Sequence, residues 1–221
     1  MSIRSAEDGL FKRWQRRHQN LVTDGVVDEQ AYLLSTPKLL FVLKEVNDEN
    51  GGGWDLREYL RENGGRGQTW NGVSQWAKGI AALPSEAPWE TLKSLDETKR
   101  IEALRPIAAM NLKKSPGGSR TNRRDLASVA RADRDLLIEQ FHLYSPDLVI
   151  CCGDVVGDLM CEILQLDPAK AWRSTAKNVG YIEHANRKYL ISYYHPQARH
   201  SKETMFHEVV GAVRELRYGN S

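Results

Sequence analysis

The sequence predicts an α/β fold, a three-layer α/β/α sandwich around a central, mainly parallel sheet, and two observations carry that expectation. The segments Leu39–Leu43, Asp147–Gly153 and Tyr189–Tyr194 are short and mostly apolar, as strands covered on both faces are. Helix-length stretches lie between them, so strand and helix alternate through the second half, which is how parallel strands are joined. A chain of 221 residues suits one domain, 1–221, with a substantial core. Apolar residues at 41% against charged residues at 27% place it among globular proteins rather than disordered ones.

In chain order, Phe11–Leu21 reads as a helix with Phe11, Trp14, His18 and Leu21 near one face. Lys12, Arg13, Arg16 and Arg17 cover its other faces, either solvated or touching nucleic acid. Asp24-Gly25 marks a turn, Asp28–Leu34 a second short helix, and Pro37 stops that helix before the first strand. Residues 1–36 therefore read as a helical extension packed on the domain.

The strand Leu39–Leu43 empties into Lys44, Glu45, Asn47, Asp48, Glu49 and Asn50, at the end where open α/β sheets place their ligands. A solvated turn would have the same composition. Gly51-Gly52-Gly53 lets the backbone approach a ligand closely or simply flex. Helices follow at Trp54–Leu60 and Thr69–Leu83, the second burying Trp70, Val73, Trp76, Ala77 and Ile80, with those tryptophans serving as core or as stacking platforms. After the loop Pro84–Pro88 comes a helical stretch, Trp89–Leu104.

A short apolar segment from Ile107 ends at Asn111, and a basic Pro-Gly loop carries Lys113, Lys114, Arg120, Arg123 and Arg124 with no acidic residue among them. Freed amides and cationic side chains in such a loop suit phosphate, though a solvated surface also looks this way. Ser128–Tyr144 reads as one long helix and Val155–Leu164 as the helix after the strand Asp147–Gly153. The strand Tyr189–Tyr194 runs into His195-Pro196-Gln197-Ala198-Arg199, and a last helix spans Ser201–Leu216.

The net charge of +2 means that any nucleic-acid site must come from local clustering. No apolar run reaches membrane length and the N-terminus lacks a signal-peptide core, so the expectation is a cytoplasmic protein without a membrane partner. Cys151, Cys152 and Cys161 cannot all pair within the chain and read as buried thiols.

Four segments in this order resemble the uracil-DNA glycosylase superfamily. LLFVLKEVN resembles its first motif, MNLKKSPGGSR the asparagine, lysine, proline-glycine and arginine pattern of its thermophilic branches, PDLVICCGD its third strand, and YYHPQAR its final histidine-proline motif. The resemblance covers Pro37–Leu216 and implies a role for each matching residue. Glu45 would align the hydrolytic water and stabilise the positive sugar, Asn111 would read the flipped base, and His195 would stabilise negative charge on the leaving base. Arg199 stands where a wedge enters the vacated space. Leu43 and Val46 replace the usual glycine and proline of the first motif. The thermophilic branches carry four iron-sulfur cysteines against three here, so no cluster, metal or other cofactor is expected.

The chemistry asks for the same residue types, because breaking an N-glycosidic bond leaves positive charge on the sugar and negative charge on the base. The expectation is a monomeric, monofunctional DNA glycosylase acting on a base flipped from duplex DNA. Uracil enzymes place an aromatic ring two positions after the catalytic residue; Asn47 stands there and, with Trp54, would line the base pocket. A pocket open at C5 points to a bulky modified pyrimidine, such as the glucosylated hydroxymethylcytosine of phage DNA attacked by defence enzymes of this superfamily. Uracil excision in repair is the alternative, followed by a nucleoside or nucleotide hydrolase and a non-catalytic nucleic-acid binder.

Overall fold

Five consecutive buried side chains fix the segment Leu39–Leu43 in the middle of the sheet. Alternation along the strand sends Leu39, Phe41 and Leu43 into one core and Leu40 and Val42 into the other, so both faces are covered by helices. The computed structural model describes residues 2–48, 51–118, 120–166 and 172–219. In chain order, α1 (Ile3–Gln15), β1 (Gly25–Val26) and α2 (Glu29–Leu34) precede β2 (Leu39–Leu43). Helices α3 (Leu56–Asn63), α4 (Gly67–Ala81), α5 (Trp89–Leu92) and α6 (Glu97–Leu104) lead to β3 (Ile107–Asn111). Next come α7 (Arg123–Ala132), α8 (Arg134–Tyr144), β4 (Leu148–Cys152) and α9 (Asp154–Ile163). The chain closes with β5 (Arg173–Ser174), β6 (Gly180–Ala185), β7 (Lys188–Tyr193) and α10 (Lys202–Tyr218).

The fold is α/β, with a seven-stranded sheet of order β1-β3-β2-β4-β7-β6-β5. Its central strands β3, β2, β4 and β7 are parallel, while β1, β6 and β5 join antiparallel at the two edges. Leu43 pairs with Asn111, Val42 with Cys151, and Cys152 with Tyr193. The four parallel strands therefore end nearly level, and the residues that follow them share one edge.

Several boundaries differ from those read off the sequence, each for a tertiary or capping reason. Helix α1 starts at Ile3, because the Ser2 side chain caps it by accepting from the Ser5 N–H, and it ends before Leu21. The segment 1–36 is more than a helical extension, since Gly25–Val26 adds an edge strand to β3. The stretch Ser128–Tyr144 divides at Asp133, whose buried carboxylate takes His18 and Arg17 from the end of the first helical segment. The stretch Trp89–Leu104 divides too, with Asp96 capping α6. Strand and helix do not alternate to the end, for β6 and β7 form a hairpin. Among the described residues no helix is long and apolar enough to cross a membrane.

One polar cluster is sealed within this architecture. Lys114 is 1% exposed, and its Nζ donates to Asp24 Oδ1 at 2.7 Å and to Gln140 Oε1 at 2.7 Å, with the Trp14 ring centroid 4.7 Å away. This corrects the expectation that Lys114 meets a DNA phosphate, because its ammonium is already bound on every side that chemistry supplies. Burial lowers the Lys114 pKa, with the Asp24 charge opposing that pull. Removing one member of such a pair leaves the other charged and dry. Lys114→Met should cost about 3–5 kcal/mol in urea unfolding, and a loss under about 1 kcal/mol would show that the pair does not anchor the loop.

Candidate active site

The level strand ends place Glu45, Lys113 and His195 along the same carboxyl edge. Glu45 follows β2 by two residues, and its side chain is only 5% exposed. Lys113 Nζ lies 3.0 Å from Glu45 Oε2 and donates to Asp125 Oδ2 at 2.6 Å. Burial pulls the Lys113 pKa down, but the bonds and charges of Asp125 and Glu45 together outweigh it and hold the ammonium above the ordinary lysine range. Lys113 is therefore a partner of the candidate catalytic carboxylate before it is a phosphate contact.

The backbone around Glu45 is zipped to the basic loop. Leu112 N donates to Leu43 O and Lys113 N to Lys44 O, extending the β2–β3 pairing past the strand ends. Gly117 N then donates to Val46 O at 2.8 Å, and Asp48 N to Gly117 O at 2.9 Å. A Cβ on Gly117 would lie 2.5 Å from Glu45 Cδ, so a side chain there would displace the carboxylate. Glu45 is thus held between its own strand and the Pro-Gly turn, with little rotamer freedom left.

His195 stands beyond β7, in a turn fixed by four bonds. Ala198 N donates to the His195 carbonyl, Lys202 Nζ donates to Pro196 O at 2.7 Å and Ala198 O at 3.0 Å, and Gln197 Nε2 reaches Thr69 Oγ1 on α4 at 2.8 Å. Burial, then the charges of Lys44 and Lys202, push the His195 pKa down to about 4. The imidazole is therefore neutral at pH 7. Its Nδ1 accepts from the Gln197 N–H at 3.2 Å, which assigns the proton to Nε2 and makes that atom a donor. Lys44 reaches this side over Gly153, whose φ of 120° strains any side chain and whose notional Cβ would lie 3.1 Å from Lys44 Cε.

The remaining expected residues divide by exposure. Asn111 is 3% exposed, and its Nδ2 and backbone N–H both donate to Asp24 Oδ2, at 3.2 and 2.7 Å. The amide is committed to the sealed cluster, so its expected base-reading role is reduced to what Oδ1 could accept. Trp54 donates its Nε1–H to Asp48 Oδ2 at 2.8 Å and meets Tyr59 edge-on, which leaves its ring for packing and no N–H for a base. Asn47 is exposed, with its carbonyl accepting from Arg66 at 3.3 Å. Arg120, Arg123 and Arg124 are exposed at the start of α7, and Arg199 is exposed in the His195 turn. Glu49 and Asn50 lie outside the described residues.

Sequence reasoning gave no role of their own to four residues that build this edge. Asp48 ties the glycine loop together, accepting from Gly52 N as well as Trp54. Lys44, Lys202 and Thr69 surround or brace the histidine turn. Only Lys44 and Asp48 carried a signal, their place after a buried strand. Cys151 and Cys152 are buried and Cys161 is partly so, all with free thiols, and burial pushes Cys161 up to about 11. Among the described residues no group of three His, Cys, Asp or Glu side chains could hold a metal ion. The chain matches no protein-family model and no curated protein.

The depressed pKa of His195 has a definite sign. Its neutral form is favoured in the folded state, so the stability it contributes is present above about pH 6.5 and is lost as pH falls from there to about 4. In an NMR titration His195 should keep neutral-imidazole shifts from pH 8 to 6 and titrate near pH 4, and Lys202→Met should move that midpoint upward. A midpoint near 6.5 in the unaltered protein would remove the proposed electrostatic setting.

Proposed function

We propose that this chain is a monofunctional DNA glycosylase that hydrolyses the bond between a flipped base and its deoxyribose. The observation that supports the reading best is the pairing of a nearly enclosed carboxylate, Glu45, with a neutral imidazole bearing its proton on Nε2, His195, at one sheet edge. In the proposed reaction the C1′–N bond breaks with its electron pair moving to the base, water adds at C1′, and the proton that water loses ends on the released base. Glu45 orients that water and offsets the positive sugar, while His195 Nε2–H donates to the negative leaving base. A neutral donor suits this step, since it binds the base anion as charge develops without first requiring a protonated ring. The fold is compatible with a uracil-DNA glycosylase-like sandwich, and Arg120, Arg124 and Arg199 are exposed near this edge for phosphate contact and for the wedge role.

The substrate reading rests on Asn47, whose exposed side chain stands where an aromatic ring would close a uracil-selective pocket. We assign a C5-extended pyrimidine, with glucosylated hydroxymethylcytosine of phage DNA as the test case. The polar Asn47 side chain can also hydrogen-bond a hydroxyl of the sugar adduct, so it can favour the adduct as well as admit it.

Two measurements check these assignments. Glu45→Gln should lower single-turnover base release by ~10²-fold or more while DNA affinity stays near that of the unaltered protein. Release at the original rate by the folded variant would falsify the role of Glu45. Asn47→Tyr should depress release of the glucosylated base far more than release of uracil. An unchanged ratio, or activity on uracil alone, rejects the open pocket and leaves uracil repair as the reading.

A further inference from the structure

A cleft of about 450 Å³ opens beside the histidine turn, between the end of β7, the turn before β6 and the first turns of α10. Its volume falls within the range of small-ligand sites, about 300–1,000 Å³. Tyr194 and His200 form its aromatic wall, stacked with centroids 4.3 Å apart and planes inclined by 29°. Tyr194 is 49% exposed, so its ring presents aromatic surface to the cleft. Asn178, Thr204 and Glu208 supply an amide, a hydroxyl and a carboxylate on the other walls, and Lys177 supplies a cation. Tyr193 donates its hydroxyl to Glu208 and so fixes that carboxylate at the cleft.

We infer that this cleft holds an unpaired nucleobase, the neighbour of the excised one on the same strand, with its face on the Tyr194–His200 stack. The inference deepens the glycosylase reading and rests on it for the choice of strand. Three features favour a base over other flat ligands. The stack offers planar aromatic surface, which every base can use whatever its sequence. Donors and acceptors on the opposite walls match a base edge, and Lys177 matches the phosphate that a base within a strand must bring along. Most tellingly, the two stacking residues bracket the proposed site in the chain, since Tyr194 precedes His195 and His200 follows Arg199. The cleft therefore adjoins the histidine turn, and the nucleotide joined to the one held at His195 can turn into it. Extruding one base also unstacks its neighbours, which creates the need that this surface would fill.

Equilibrium anisotropy at fixed salt tests the cleft without any cleavage. The probes are an oligonucleotide single strand, a duplex with a one-nucleotide bulge and the fully paired duplex. Tyr194→Ala should weaken binding to the first two by about tenfold, the effect of losing one base–aromatic stack, and leave the paired duplex nearly unaffected. Tyr194→Phe keeps the ring and should bind as the unaltered protein does. Should Tyr194→Ala melt early, His200→Ala, at an exposed position, carries the same expectation. Equal affinity of both alanine variants and the unaltered protein for bulged DNA overturns the inference, as does an equal loss on paired and bulged duplex. A separate base-release assay distinguishes the two readings. Ring-dependent binding without base release sustains the cleft and rejects the glycosylase, whereas base release with ring-independent binding rejects the cleft alone.

Discussion

A lysine ammonium removed from water must be matched by its surroundings, and the arrangement around Lys114 constrains much of the molecule. Asp24 supplies the counter-charge, Gln140 a further acceptor, and the faces of Trp14 and Phe11 the remaining shell. Those groups come from α1, the approach to β1, and α8, so a single buried charge ties the N-terminal segment and a distant helix to the loop after β3. Gln140 also donates to Asp24 and to the Tyr144 hydroxyl, which leaves the carboxylate with donors on both oxygens. The cluster is specific in a way that an apolar patch is not, because each member fixes the direction of the next.

The same anchor sets the position of the candidate carboxylate. Consecutive residues of an extended chain point to opposite sides, so turning Lys114 inward turns Lys113 the other way, towards Glu45. Asp125 accepts from Lys113 in the first turn of α7, whose Asn122 cap bonds the N–H groups of Arg124 and Asp125. The surface arginines and Asp125 thus belong to one capped helix start. The exposed arginines on one side and Glu45 on the other are joined by a short connection through Asp125 and Lys113.

Two strands were legible in the sequence to the residue, Leu39–Leu43 and Ile107–Asn111, because a wholly apolar run ends at the first charged or amide side chain, whereas β4 and β7 differ by a residue at their ends. The helix boundaries were less so. Asp133 interrupts a helical pattern because His18 and Arg17 hold its carboxylate, and those partners are more than a hundred positions away. Strand β6 was missed because Glu183 and His184 break its apolar character, while its pairing with β7 supplies the missing stability. Within the site, the places of Glu45 and His195 after strands were legible, while their choice among the neighbouring polar residues came from the resemblance. Lys114 could not be distinguished from Lys113, since a basic loop reads the same whichever lysine turns inward, and Asp24, which decides the matter, lies 90 residues earlier.

Charge placement at the sheet edge follows from these anchors rather than from the composition, which is nearly balanced. Lys202 is bound to two carbonyls of the histidine turn, so its ammonium is held close to His195 instead of sampling solvent. The Lys113 charge, by contrast, is shared between two carboxylates, Glu45 and Asp125. One end of the edge is consequently biased against a proton on the imidazole, and the other holds a carboxylate against its neighbouring cation. A reaction that separates charge between sugar and base would meet the negative group on one side and an uncharged N–H donor within a positive field on the other. If Lys44 and Lys202 were exchanged for neutral residues together, the turn would lose its brace and the imidazole the field that adds to burial in keeping it unprotonated. Orientation and protonation state are therefore set by the same side chains, and a change that disturbs one disturbs the other.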